Sequence, residues 1–195
     1  MSGTVEDYKV WVTGENSFIR LALSDQAEFS TIASHWRVLY SPFGPGHALF
    51  LQSELIGNEI LAYSDNIALA RWLQASIEAI INPDFSQYSG PIIEAEFERN
   101  GDIRSYITER VYSAENDLTL TWYDFLEPIS VHASPGSQGR KLGVTTILIP
   151  ALKAQLSMDD DFAEGTPRSQ PRENKPSSSA CIAWSETWLG PEESS

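Results

Sequence analysis

Glu96-Phe97-Glu98-Arg99-Asn100-Gly101-Asp102-Ile103-Arg104-Ser105-Tyr106-Ile107 is the stretch on which the fold turns. Asn-Gly offers two residues that tolerate positive φ, as a two-residue type I′ hairpin turn requires, and strand-like residues flank it on both sides. The pair predicts Arg99 opposite Asp102, Glu98 opposite Ile103, Phe97 opposite Arg104, Glu96 opposite Ser105, Glu94 opposite Ile107 and Ile92 opposite Glu109. In that register Glu94, Glu96, Glu98 and Glu109 share a face with Ile103, Ile107 and Val111. Arg99 and Asp102 would form a cross-strand ion pair, with Arg104 stacked near Phe97.

Outward from this hairpin, further strands are predicted over Ile92 to Arg99, Asp102 to Tyr112, Leu118 to Phe125, Ile129 to Ala133 and Leu142 to Ile149. A two-residue turn at Glu115-Asn116 sets Glu109 opposite Trp122 and Ile107 opposite Asp124, whereas a three- or four-residue loop would shift that pairing. Toward the N-terminus, Tyr8 to Thr13 and Phe18 to Leu23 read as strands separated by Gly14-Glu15-Asn16. Trp36 to Tyr40 and His47 to Leu51 flank a Pro/Gly loop, and Glu59 to Tyr63 adds a short strand.

One main helix, about 66–81, follows from Ile67, Ala70, Leu73, Ile77, Ile80 and Ile81 at helical spacing. Ser64 or Asp65 can cap it and Asn82-Pro83 stops it. Residues 159–179 are acidic and then rich in Pro, Ser and charge, which predicts a long mobile loop. Ala180 to Trp188 is a closing strand, and 190–195 a frayed acidic tail. The whole, 1–195, reads as a single α+β domain, mostly antiparallel β, built as a curved sheet or lipocalin-like barrel. The lipocalin likeness is architectural only, since Trp11 is preceded by Val10 and Lys9 rather than by the Gly-x-Trp signature.

With 27 acidic against 13 basic residues, the formal charge is −14, which disfavours nucleic acid and anionic membrane as partners. The clustered cations Arg168, Arg172 and Lys175 fall in the Pro/Ser-rich loop and read as a solvated segment. Cys181 is the single cysteine, so there is no intrachain disulfide framework, and its apolar neighbours predict an inert buried thiol. No secretory leader or membrane-spanning apolar run is visible, and the expectation is a cytoplasmic protein.

The chemistry rests on carboxylates set among apolar and aromatic residues. A desolvated carboxyl has a raised pKa, which suits a general acid or base at neutral pH. Glu94, Glu96 and Glu109 are the candidate catalytic acids, with His132 and Tyr123 as proton-transfer partners. Trp122, Asp124, Tyr106, Arg110, Trp184, Glu186 and Trp36 are candidates to line the substrate cavity. The competing reading has the Glu-rich face in water. No cofactor is expected, and the three histidines, His35, His47 and His132, lack the spacing of a metal site.

Three functions fit. The first is a small-molecule-binding barrel acting as a cofactor-independent isomerase, cyclase, lyase or hydratase on an apolar or aromatic molecule. The second is a carrier with the same cavity and no chemistry. The third is a structural or interaction protein that uses its sheet as a subunit interface, a homo-oligomer being consistent with the need to cover sheet edges.

Overall fold

The computed structural model describes residues 8–172 and 174–191. Twelve strands follow one another in chain order. They are β1 (Tyr8–Ala22), β2 (Phe29–Tyr40), β3 (Gly46–Ser53), β4 (Ile60–Ser64), β5 (Ile92–Glu94), β6 (Glu96–Asp102), β7 (Tyr106–Tyr112), β8 (Asp117–Phe125), β9 (Ile129–Ala133), β10 (Gly143–Met158), β11 (Asp161–Phe162) and β12 (Ala180–Pro191). The sheet runs β5-β4-β3-β2-β1-β12-β10-β8-β7-β6, with β9 and β11 paired to β10. Its end strands, β5 and β6, are consecutive in the chain and joined through Ala95, so the sheet curls into a nearly closed barrel. The pairing is antiparallel except between β4 and β5, which run parallel across the helical excursion.

Side-chain alternation divides the apolar residues between two faces. Ile19, Leu21, Leu49, Leu51, Val111, Leu118, Leu120, Trp122 and Leu156 fill the barrel interior, each fully buried. Trp36, Phe50 and Ala62, from the opposite face of β2 to β4, pack against Leu69, Leu73, Ile77 and Phe85. The predicted helix is present, as α1 (Ile67–Leu73), a π-helical turn (Gln74–Glu78) and α2 (Ala79–Ile81), followed by the one-turn α3 (Pro83–Ser86). Its cap is Asn66 rather than Ser64 or Asp65. The Asn66 side chain accepts from Leu69 N at 3.1 Å and donates to the carbonyls of Phe43 and Pro45 at 2.9 and 3.0 Å, tying the helix start to the preceding Pro/Gly loop.

The central hairpin corrects the predicted register. Arg99 faces Glu109, Asn100 faces Thr108, Gly101 faces Ile107 and Asp102 faces Tyr106, so the turn is Ile103-Arg104-Ser105. The Asp102 carboxylate explains the choice: it accepts from Arg104 N at 2.8 Å while the Asp102 carbonyl accepts from Ser105 N at 2.8 Å, so the first strand of the hairpin runs on to Asp102 instead of ending at Arg99. The displacement is odd, so β6 presents the opposite set of side chains to the one expected. Phe97 and Arg99 join Glu109 inside, while Glu96 and Glu98 are exposed. Arg99 therefore does not pair with Asp102. Arg104 takes that role, and its guanidinium lies beside Asp102 rather than on Phe97.

The next hairpin closes with four loop residues, 113–116, setting Ile107 opposite Trp122 and Glu109 opposite Leu120. That shift, relative to a two-residue turn, is even and leaves the faces unchanged. β1, β2 and β10 run well beyond their predicted bounds. β1 runs unbroken through Gly14-Glu15-Asn16 with a register irregularity there, β2 begins at Phe29, and β10 continues past Pro150 to Met158. Residues 163–179 are pinned to the barrel by Thr166 bridging Ala22 and by buried Ser177, Ser178 and Ser179. Of the predicted tail, Gly190 and Pro191 belong to β12, and Glu192 onward lies outside the described residues. No helix among the described residues is long and apolar enough to cross a membrane.

Candidate functional site at the barrel mouth

At one end of the barrel the apolar interior gives way to charge. Glu15 on β1, His35 and Arg37 on β2, His47 on β3, Arg99 on β6 and Glu109 on β7 converge there, each placed by its strand's inward alternation. Arg99 joins the group: its Nε donates to Glu109 Oε1, and its Nη1 lies 2.7 Å from Glu15 Oε2. Arg37 lies 3.8 Å from the same Glu15 oxygen. His47 is held by Asp65, which accepts from its backbone N–H and contacts Nδ1, both at 2.6 Å.

His35 lies beneath these groups, 1% exposed, with Nε2 3.8 Å from Glu109 Oε2 and neither ring nitrogen hydrogen-bonded within the protein. Burial, and then the nearby positive charge of Arg99, His47 and Arg37, drive its pKa well below the ordinary value. The imidazole is therefore neutral, and its contact with Glu109 is that of a base beside a carboxyl group rather than an ion pair. Burial raises the Glu109 pKa, and Arg99 opposes the rise. Phe97 is the partition above, its ring centroid 5.7 Å from His35 on one side and stacked 5.1 Å from His47 on the other. His47 and Arg37 in turn line an open groove of about 810 Å³, together with Asp65, Asn66 and Glu94.

Of the predicted catalytic residues, Glu109 and Glu94 belong to this region, Glu109 in the interior and Glu94 on the rim of the groove. Glu96 is exposed and accepts from the Tyr112 hydroxyl at 2.6 Å. His132 is exposed on β9 and bonded to Thr145 Oγ1 at 2.8 Å, and Tyr123 faces Lys153, whose Nζ sits 5.9 Å from its ring centroid.

The predicted lining residues also disperse. Trp122 is interior but commits its indole N–H to Phe18 O at 3.0 Å. Asp124 is exposed and paired with Lys153 at 2.6 Å, Arg110 is exposed and paired with Asp117 at 2.5 Å, and Tyr106 is 48% exposed. Trp184, 55% exposed, borders a separate apolar hollow with Phe125, Ile147 and Ile149.

Trp36 and Glu186 lie on the outer face under the helix, where a second acid is buried. Trp36 Nε1 and Ser34 Oγ donate to Glu78 Oε1 at 2.6 and 2.5 Å, and Asn82 donates to Oε2 at 2.7 Å. Trp188 Nε1 donates to Glu186 Oε1 at 2.6 Å. Burial, against the pull of these donors, pushes Glu186 up to about 7 and raises Glu78. Cys181 is buried as expected, its thiol pushed up to about 11 by desolvation.

Sequence reasoning did not single out His35, Arg99, Arg37 or Glu15 for this site. Their only sequence signal is a charged or imidazole side chain at the inward positions of otherwise apolar strands, visible once the register is known. Fold and mouth together define a small, nearly closed β-barrel whose polar end carries a buried histidine–carboxyl pair. No family model, curated protein or solved structure matches the chain.

Proposed function

We propose that the groove at the barrel mouth binds a small organic molecule and that His35 and Glu109 exchange a proton with it, as in a cofactor-independent isomerisation, cyclisation, elimination or hydration. The observation that carries this reading is His35: a neutral imidazole, buried, with both ring nitrogens unpartnered in the protein, 3.8 Å from a carboxyl whose pKa burial raises. Such a pair sets a neutral imidazole beside a carboxyl that burial pushes toward its acid form. The His47 ring and the apolar side chains of Val38, Leu39 and Ile67 along the groove favour a ligand with a flat or apolar body. The rim carboxylates Asp65 and Glu94 favour one that is neutral or cationic. Phe97 must turn aside for a ligand in the groove to reach His35, so ring movement is part of the proposal.

The test begins with a small-molecule screen that reads ligand-induced rises in melting temperature on the full chain. His47→Ala and Asp65→Asn should abolish the shift from an authentic ligand. Glu109→Gln and His35→Asn should preserve binding while lowering turnover of that ligand about 10²- to 10⁴-fold. Binding that ignores the His47 and Asp65 substitutions would sink the site. Binding at the groove without turnover in the unaltered protein would leave the carrier function in its place.

A further inference from the structure

A second gathering of charge lies on the outer face, where residues 166–179 cross the end of β1. This segment doubles back as a ribbon, with Ser169 bridged to Ser178 and Arg172 to Lys175. Arg168 N donates to Ser179 Oγ at 2.9 Å, and that hydroxyl donates to Arg20 O at 2.7 Å, so the ribbon is stitched directly to the backbone of Arg20. Arg168 and Arg172, four residues apart, share one face of the ribbon.

All three arginines use aromatic floors. The Arg168 guanidinium sits 4.4 Å from the centroid of the Phe29 ring, while those of Arg20 and Arg172 sit 5.8 and 5.9 Å from that of Phe18. A guanidinium held by its face keeps its in-plane N–H donors for something else. Here they are not spent: Nε and Nη2 of Arg168 and Nε of Arg172 are shielded from solvent without an acceptor. Arg20 makes one contact, to Asn82 Oδ1 at 2.7 Å. Its guanidinium titrates below the ordinary value, first through burial and then through the nearness of Arg172, with buried Glu78 opposing the shift.

No carboxylate of a described residue lies within 4.0 Å of these three guanidinium groups, whereas Arg37, Arg99, Arg104 and Arg110 each have one. Beside Arg20 and Phe29 opens a cavity of about 160 Å³ whose rim also holds Asn82 and Asp84.

We propose that Arg20, Arg168 and Arg172 bind a small oxyanion of the phosphate type at a site separate from the barrel mouth. Guanidinium N–H forks match phosphate oxygens, and an acceptor with several oxygens satisfies the shielded donors together. The protein's charge of −14 repels extended polyanions, and Asp84 guards the cavity rim, so the occupant is a compact anion rather than a nucleic acid or a membrane surface. It is either free phosphate or the phosphate group of a small monoester, whose organic part would lie in the cavity against Phe29.

The experiment is calorimetric and thermal-melting titration of the full chain with inorganic phosphate and with phenyl phosphate, at ionic strength held constant with chloride. Saturable binding of either is expected, with Arg168→Gln and Arg172→Gln each weakening it at least tenfold; tighter binding of phenyl phosphate identifies a monoester as the occupant. In the unaltered protein, the Nε–H resonances of Arg168 and Arg172 should move during the same titration, a readout that does not depend on how the variants fold. Phosphates that behave no differently from chloride, or resonances that stay still while binding proceeds, overturn the proposal.

Discussion

Glu109 and Glu186 are two buried acids on opposite faces of the same sheet, Glu109 in the barrel interior and Glu186 under the helix. The reason for Glu186 is a single residue. Ile147 pairs with Ser185 and Leu148 with Ala183, so Trp184 is the extra residue of a bulge. Simple alternation puts Ile182, Trp184, Glu186 and Trp188 on one side; across the bulge Trp184 turns out to solvent while Glu186, 6% exposed, turns under the helix. His35 was illegible for a different reason, since Phe97, Arg99 and Glu109 are all more than sixty positions away in the chain, and no local pattern marks their meeting. Glu186 supports a pH prediction. Below its ordinary pKa of 4.5 it is protonated both folded and unfolded; between 4.5 and about 7 the unfolded chain has released the proton and the folded one retains it. The folded state binds more protons in that window, so stability falls as pH rises through it, by about 1.4 kcal/mol per pH unit and on the order of 3 kcal/mol in all, and is constant above it. Buried Glu78 acts in the same direction. Urea unfolding of the parent protein and of Glu186→Gln at several pH values isolates the effect: the two stabilities should diverge across this window, and parallel curves would refute the assignment. The Trp188 indole, bonded to Glu186, supplies a fluorescence reporter of the same titration.

At the scale of elements, strands and the helix were legible wherever one period ran undisturbed. Residues 67–81 have a clean apolar stripe and form the helix, although Asn66 outcompetes Ser64 and Asp65 for its cap by also binding two loop carbonyls. β10 was foreseen only to Ile149, because Pro150 reads as a terminator. Instead the strand changes partners there: Pro150 pairs with Cys181 of β12 and Ala151 with Phe125 of β8, so the missing N–H falls at the handover. The Asn100-Gly101 pair was read as the turn and lies inside the hairpin. Gly101 still needs its conformational freedom, with φ at +106° and an added Cβ 2.2 Å from Tyr106 O. Gly101→Ala should therefore destabilise the protein by about 1–3 kcal/mol, toward the upper end because the obstacle is backbone. Asn100→Ala should stay within about 0.5 kcal/mol, since its side chain makes only an exposed 3.1 Å contact with Glu98. A type I′ turn at Asn-Gly would make both substitutions costly, so a large effect of Asn100→Ala in denaturant unfolding would restore the register read from the sequence.

For the molecule as a whole, the barrel was legible as a class, from many strands with hairpin-length connections and one helix. Its closure was not, because it depends on β1 meeting β12 and on β5 leading into β6, neither of which leaves a local signature. The charge balance was legible without any structure and sets the last prediction. A net charge of −14 spreads mutual repulsion over the folded surface, and unfolding relieves it by moving the charges apart. Added salt shortens the Debye length from about 30 Å at 0.01 M to about 8 Å at 0.15 M, which screens that repulsion. It also screens attractive pairs, but the exposed ones, Asp102 with Arg104, Asp117 with Arg110 and Asp124 with Lys153, are surface pairs in high dielectric that contribute little. The Glu109 contact with Arg99 is sheltered inside the mouth and responds little. Repulsion should prevail, raising stability by about 1 kcal/mol and the melting temperature by roughly 2–4 °C between 0.01 and 0.15 M sodium chloride. Scanning calorimetry at fixed pH measures this directly; a melting temperature that falls over that range would mean that specific ion pairs, not the acidic surface, dominate the protein's electrostatics.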